Sequence, residues 1–431
     1  MLFLMICVPK AEAVVRYVSP CGSDASSGIT ASEPMLTVDC ALSDGADTVL
    51  CLAGTYFQQV NLRLASAPRI VISAMDGANV VFKHPQSVLA SGGERREAGK
   101  VYSFHVSSDV TFHDRNNRIW QEGIPDGNTL ILPHERHPLQ RGATYRSPAT
   151  IIYRCAATSL RQAMDEIERS DSSKWFFDET QRRVYLSRLV SISASNPVCY
   201  STGADFFAGG NGGKSVEMNG IEVWYMTVNV NGMLYPVIAD CAARYVFSGG
   251  AFCWHNATGA TFIRCEAVSA TYGNTGDGFN GHSTPGHSTS ATLIDCWSHD
   301  NCDDGFSDHE RCRSTLMGGL FEYNGKAGVT PAYGSHNVSH GVLSRCNYSG
   351  FLYVGTVEDP ADGPGSMTCS DCVSQNNDRQ PMPLFKFPVH PALGVGYGVE
   401  GEGNTASLVR CVSIGDKQQT SAAPESHLKL K

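Results

Sequence analysis

Gly249-Gly-Ala-Phe-Cys-Trp-His255, Gly276-Asp-Gly-Phe-Asn-Gly-His282 and Asp303-Asp-Gly-Phe-Ser-Asp-His309 are three versions of one seven-residue phrase. Phe252, Phe279 and Phe306 are spaced by 27 and 27 residues, and so are His255, His282 and His309. A fixed period of this length is the signature of stacked coils, in which each position of the repeat becomes a column in space. One column here holds three histidines. Beside it runs another that contains Asp277 and Asp304.

The coils extend on both sides of the phrase. Phe262-Ile-Arg-Cys265, Leu293-Ile-Asp-Cys296, Leu316-Met-Gly-Gly319, Leu343-Ser-Arg-Cys346, Cys369-Ser-Asp-Cys372 and Leu408-Val-Arg-Cys411 read as one equivalent strand slot, with spacings of 31, 23, 27, 26 and 39. A second strand begins at the glycines of Gly250-Ala-Phe, Gly278-Phe, Gly305-Phe, Gly328-Val and Gly350-Phe. Side chains alternate faces along a strand, so the recurring Phe and Cys are expected to point inward as ladders, with neighbouring coils about 4.8 Å apart. The expected fold is all-β: a right-handed parallel β-helix solenoid with a short N-terminal capping helix and an inserted mixed subdomain.

Composition agrees with a turn-rich β protein. Of 431 residues, 42% are hydrophobic and only 17% charged, with 43 glycines. A net charge of −9 and the lack of any basic run argue against a nucleic-acid partner. The opening MLFLMICVPKAEA combines a short apolar run with Ala11-Glu12-Ala13, and reads as a secretory signal peptide over residues 1–13. A secreted, periplasmic or extracellular location follows, and no other stretch is long and apolar enough to span a membrane. Sixteen cysteines less Cys7 leave an odd number, so they cannot all pair within the chain.

Residues 14–82 read as an N-terminal cap and first coils, with a helix over Ser32–Leu42 and strands near Thr48–Leu52 and Ile70–Ser73. Residues 83–198 break the pattern, holding charged runs, a helix-like stretch Leu160–Ile167, and Trp175-Phe-Phe-Asp178 before Val184-Tyr-Leu186. Coils carrying the candidate site span 199–415, and 416–431 reads as a polar tail.

With Phe279 and Phe306 inward, Asn280, His282, Ser307 and His309 face outward, next to Cys253 and His255. Asp277, Asp303 and Asp304 lie just upstream at the turn; Glu310, His299 and Asp300 flank the region; Lys326 takes the place of Asp303 one coil later. Stacked like charges are costly unless their pKa values separate or a cation intervenes, so an aspartate column points to chemistry or a bound metal. Asp277, Asp304, His282, His309 and Lys326 are the candidate catalytic residues. His255, Asn280, Tyr323, Asn324 and Glu310 are candidates for binding substrate, with Trp254, Trp297, Tyr272 and Tyr333 able to stack on sugar rings. Paired carboxyl groups suit glycoside hydrolysis. Elimination from a uronic acid needs its carboxylate neutralised and a base at the α-proton, and Asp303, Asp304 and Asp308 would serve the first need through Ca²⁺.

The strand, glycine loop, short helix and Gly54-Thr-Tyr56 turn of residues 14–82 resemble the N-terminal cap of secreted proteins of the pectate-lyase-like β-helix superfamily. Asp303-Asp-Gly-Phe-Ser-Asp308 resembles a motif that recurs in its polysaccharide lyases. The resemblance implies calcium held by such acids and a lysine base on a later coil. Asp303 and Asp304 match that pattern; Asp308 is shifted by one, with Ser307 in its place, and Lys326 stands in a different local context. The polygalacturonase motifs of the superfamily are incomplete too. A polysaccharide-degrading enzyme is expected, with β-elimination ahead of hydrolysis, and a non-enzymatic carbohydrate-binding adhesin or fibre as the other class.

Overall fold

The computed structural model describes residues 13–84, 87–90, 92–107, 118–122, 149–171, 173–187, 190–193, 196–201, 204–244, 246, 249–268, 276–301, 303–355, 363–378 and 394–431. Among these, three long parallel sheets of 12, 10 and 9 strands form the faces of a parallel β-helix. One coil runs Ser290–Ile294 on the first face, Trp297–His299 on the second and Phe306–Asp308 on the third; the next runs Arg313–Met317, Leu320–Glu322 and Ala327–Pro331. Between first and second faces a single left-handed residue turns the chain at Arg264, Asp295, Gly341 and Asp371, and two do so at Gly318 and Gly319.

Register makes the columns. Phe252 pairs with Phe279, Phe279 with Phe306, Phe306 with Val329 and Phe351 with Tyr397. Phe252 and Phe279 stack at 5.0 Å and 9°. All are buried, each stabilising the core by roughly 1.5–3 kcal/mol. Gly281 is required because a Cβ there would run into the indole of Trp254, which lies across the next coil against Phe306.

A second ladder holds the corner between the second and third faces. Asn301, Asn324, Asn347 and Asn377 are fully buried and each amide bonds the next. Asn347, for instance, accepts from the Asn324 N–H and donates to Phe321 O and Ser344 Oγ. Asn324 is therefore a structural amide of the core and does not reach substrate.

Three other expectations change. Leu343-Ser-Arg-Cys346 is out of slot: Leu316 pairs with Ser339, and Ser339 with Cys369, so Ser339–Val342 is the equivalent stretch. The helix is shorter than expected, Val38–Ser43, and its cap is Thr37. Residues 416–431 are not a loose tail, since Gln418–Ala422 and His427–Leu430 pair in register with the preceding coil. Cys265, Cys296 and Cys372, just past the turn between first and second faces, are buried, and the described cysteines are free thiols.

The inserted region forms a separate, mostly antiparallel sheet of eight described strands. The helix Leu160–Arg169 and the pair Lys174–Asp178 with Arg183–Ser187 appear where expected. Phe104, Ile119, Trp175, Val184, Leu186 and Val198 make its own core. Tyr272 and residues 1–12 lie outside the described residues, and no described helix is long and apolar enough to cross a membrane.

The Asn347→Ala substitution strips partners from Asn324, Ser344 and Asn377 at once. It is expected to destabilise the fold by about 2–4 kcal/mol, read as a lower denaturant midpoint; an unchanged midpoint would show that the ladder is incidental.

Candidate active site

The third face collects the acids. Asp277, Asp303 and Asp304 are buried, and their carboxylate oxygens lie within 4.8 Å of one another. Coil stacking explains this: Asp304 follows Asp277 by one repeat, and its N–H donates to Asp277 Oδ1 at 3.0 Å. The other oxygen of Asp277 accepts from Asn280 Nδ2 at 2.7 Å, and Asn280 Oδ1 accepts from His255 Nε2 at 2.8 Å. A continuous chain thus links the acids to the histidine row.

Lys326, one coil on, brings a cation. Its Nζ lies 3.0 Å from Asp304 Oδ2 and 3.5 Å from Asp303 Oδ1. Asp304 Oδ1 also accepts from the Ala327 N–H and the Thr330 hydroxyl, both at 2.8 Å. Every oxygen of Asp304 is engaged. Asp303 Oδ1, by contrast, has the ammonium nearby but no hydrogen-bond donor.

The electrostatics follow from burial and crowding. Burial, then the charges of Asp303 and Asp304, hold the Asp277 carboxyl well above the usual range. Asp303 is pushed up to about 7 by burial and by Asp304, against the pull of Lys326. Burial disfavours the Lys326 charge, but Asp304, Asp303 and Asp277 outweigh it and hold the ammonium above its ordinary value. A lysine so held is a poor base.

The histidines stand in register as expected. Ring centroids are 4.8 Å apart for His255 and His282 and 4.4 Å for His282 and His309, with Tyr333 5.4 Å beyond. His282 Nδ1 donates to Glu310 Oε2 at 3.0 Å, and His309 Nε2 is hydrogen-bonded to the Ser307 hydroxyl. Burial lowers His255, and burial with His282 and Lys326 nearby lowers His309 further, which keeps its ring uncharged.

Other expected residues lie elsewhere. Asp308 alternates inward with Phe306, is fully buried, and accepts from Ser314 Oγ, so it belongs to the core and not to a metal site with Asp303 and Asp304. Trp254 and Trp297 are buried and offer no sugar platform. Tyr323 sits at the turn after the second face, against Cys346. Calcium fits the acid group poorly. It wants six to eight oxygens, whereas Asp304 is saturated by donors and an ammonium occupies the centre of charge.

His299 and Asp300, expected to flank the region, belong to the second face. His299 Nε2 meets Glu266 Oε1 at 3.1 Å and Nδ1 meets Asp300 Oδ2 at 2.8 Å. Burial opposes its charge, yet these acids push it up to about 9. Arg244 grips Glu266 with two bonds of 2.9 Å, Trp297 donates to Glu322, and Arg345 pairs with Glu322 at 2.7 Å. The signal was present: three residues after the Cys slot come Arg244, Val268, His299, Glu322 and Arg345, a column with charges of both signs.

No family model matches the chain, and no curated protein matches its sequence. Solved structures similar to it include the complex of XylC with xylose, at 10% identity over 96% of this chain and 86% of that one, with a TM-score of 0.46. A glycoside hydrolase matches at 11% identity, 96% and 97% coverage and a TM-score of 0.47. The pectate lyase Pel9A matches at 12% identity, 96% and 79% coverage and a TM-score of 0.42.

Burial pushes Asp308 up to about 7, against about 3.9 in an unfolded chain. The folded state then holds the extra proton, so this contribution to stability is complete below pH about 4 and is lost as pH rises through about 7. Asp308→Asn is expected to flatten that part of the profile and to gain a few kcal/mol over the parent at pH 8. Thermal unfolding from acid to alkaline pH checks this; parallel profiles for the two proteins would remove the assignment.

Proposed function

We propose that this protein cleaves glycosidic bonds in a polysaccharide by hydrolysis, with Asp277, Asp303 and Asp304 as the reaction centre. The observation that carries the reading is the buried carboxyl group of Asp303, its proton affinity raised to about 7, with one oxygen lacking a donor and two further acids within 4.8 Å. Hydrolysis needs an acid that is still protonated near neutral pH beside a carboxylate that is not.

Asp277, which holds its proton most firmly, gives it to the glycosidic oxygen as the bond from that oxygen to the anomeric carbon breaks and the ionised Asp303 carboxylate bonds to that carbon, the double displacement that closely spaced acids suit. Water then bonds to the same carbon, Asp303 leaves as a carboxylate, and the water proton returns to Asp277. The three acids are close enough to titrate as a unit. Lys326, fixed on Asp304, tempers the repulsion that ionising Asp303 creates. His255, His282, His309 and Tyr333 then form a floor of ring edges and faces along the stacking direction, which suits an extended chain of sugars. Export of the protein, on the pattern of residues 1–13, belongs to the same proposal.

Elimination is the second reading, favoured by one observation: the uncharged ring of His309 is able to accept an α-proton. Lys326 is not its base and Ca²⁺ is not its electrophile, for the reasons above.

A panel of acidic and neutral polysaccharides separates the readings. Hydrolysis yields new reducing ends without near-ultraviolet absorbance, while elimination adds the absorbance of an unsaturated end. The Asp303→Asn enzyme is expected to lose about 10²–10⁴-fold in kcat with little change in binding. The acidic limb of the parent's rate profile is expected to lie near the raised Asp303 value, about 7, with rate rising as Asp303 ionises. Binding without turnover of any glycan would move the protein to the adhesin class.

A further inference from the structure

The third face carries a second donor group of different chemistry. His282, His309 and Glu310 each offer one ring nitrogen or carboxylate oxygen, and these atoms lie within 4.8 Å of one another. We propose that these three side chains form a binding site for a borderline divalent metal ion of the zinc type, with its remaining positions open to solvent or substrate.

The donor set comes first. Two imidazoles and one carboxylate suit zinc and its neighbours, whereas hard cations prefer oxygen alone. The spacing is nearly that of a closed site. Ligand atoms bound at about 2.0–2.1 Å in a tetrahedron stand roughly 3.3 Å apart. His282 Nδ1 and Glu310 Oε2 are already 3.0 Å apart. The rings of His282 and His309 are 4.4 Å apart at 24°. Small side-chain rotations complete the set, and the metal replaces the proton that His282 shares with Glu310, releasing it to solvent.

The backbone supplies an independent observation. Consecutive strand residues face opposite sides, so Glu310 would ordinarily point away from His309. It returns to the same side because the chain leaves its strand at Asp308 and takes a left-handed φ of 41° at Glu310, followed by 26° at Arg311. Two coils earlier the residue after His255 is also left-handed, but there it is Asn256, a type that tolerates this conformation. At Glu310 the same kind of turn, and not the strand repeat, brings a carboxylate beside the two rings. Ser307 adds an outer contact on His309 Nε2, of the kind that orients a ligating ring. His255 is committed to Asn280 and is not counted among the ligands.

The site is separate from the carboxyl group assigned to hydrolysis, and its test uses no substrate. Chelator-treated protein is titrated with Zn²⁺ by calorimetry, and with Co²⁺ by visible absorption. One equivalent is expected to bind, with the absorption of a low-coordinate nitrogen–oxygen site. His309→Ala and Glu310→Gln should each weaken binding at least tenfold, Ser307→Ala by about tenfold, and Asp303→Asn should leave it unchanged. Circular dichroism of each variant separates lost ligands from lost fold, and the Co²⁺ spectrum of the parent stands whether or not a variant folds. No saturable binding by the parent would overturn the proposal. So would binding that folded Glu310→Gln retains in full, or that Asp303→Asn abolishes.

Discussion

Everything in this molecule depends on parallel strands of successive coils pairing in register at the hydrogen-bonding distance. The backbone ladder ties Phe279 to Phe306, Asn280 to Ser307 and Gly281 to Asp308, and the residues flanking each strand are stacked with it. A position in the repeat becomes a neighbour in space. Apolar columns then gain burial with each added coil. Amide columns gain a further hydrogen bond, as along Asn301, Asn324, Asn347 and Asn377.

The same rule penalises charge. Two ionised carboxylates 4.8 Å apart repel by about 3–4 kcal/mol at an effective dielectric constant near 20, so a column of three cannot stay fully charged without help. The protein offers two remedies side by side. Lys326 places an ammonium on Asp304 and Asp303, and burial keeps protons on the acids it cannot satisfy. On the second face the remedy is alternation. Arg244, Glu266, His299, Asp300 and Glu322 form a buried cluster of both signs, with half-buried Arg345 at its end. One face spreads its charges into pairs, while the other retains an excess of acid, which is why the third face is the better candidate for proton chemistry.

Histidine stacking belongs to the same account. Neutral rings cost little to stack, and burial keeps His255 and His309 neutral. The one acid among them, Glu310, arrives by a left-handed turn and not by the repeat. Departures from the period are therefore as informative as the period itself. Glu310, Lys326 and Asp308 each break a column, and each has a particular electrostatic partner: His282, Asp304 and Ser314.

The sequence by itself determined the solenoid, the inward Phe column, the outward histidine row and the meeting of Asp277, Asp303, Asp304 and Lys326. The Phe column, the histidine row and the Asp277–Asp304 contact follow from the 27-residue interval and strand alternation, and Lys326 from the shorter 23-residue step that aligns Phe306 with Val329. Tertiary structure alone decided the rest, for reasons local periodicity does not hold. Loop lengths differ between coils, so the Leu343 slot slipped by one strand while Ser339 took its place. Alternation beyond Phe306 turned Asp308 inward, where Ser314 of the next coil meets it. Aromatic side chains read as surface platforms, Trp254 and Trp297, proved to be covered. The charge column of the second face needed the three-dimensional register to bring Arg244 to Glu266 and His299 between two acids. Period fixes which residues meet; only the folded chain fixes which side of the sheet they meet on, and how far from water.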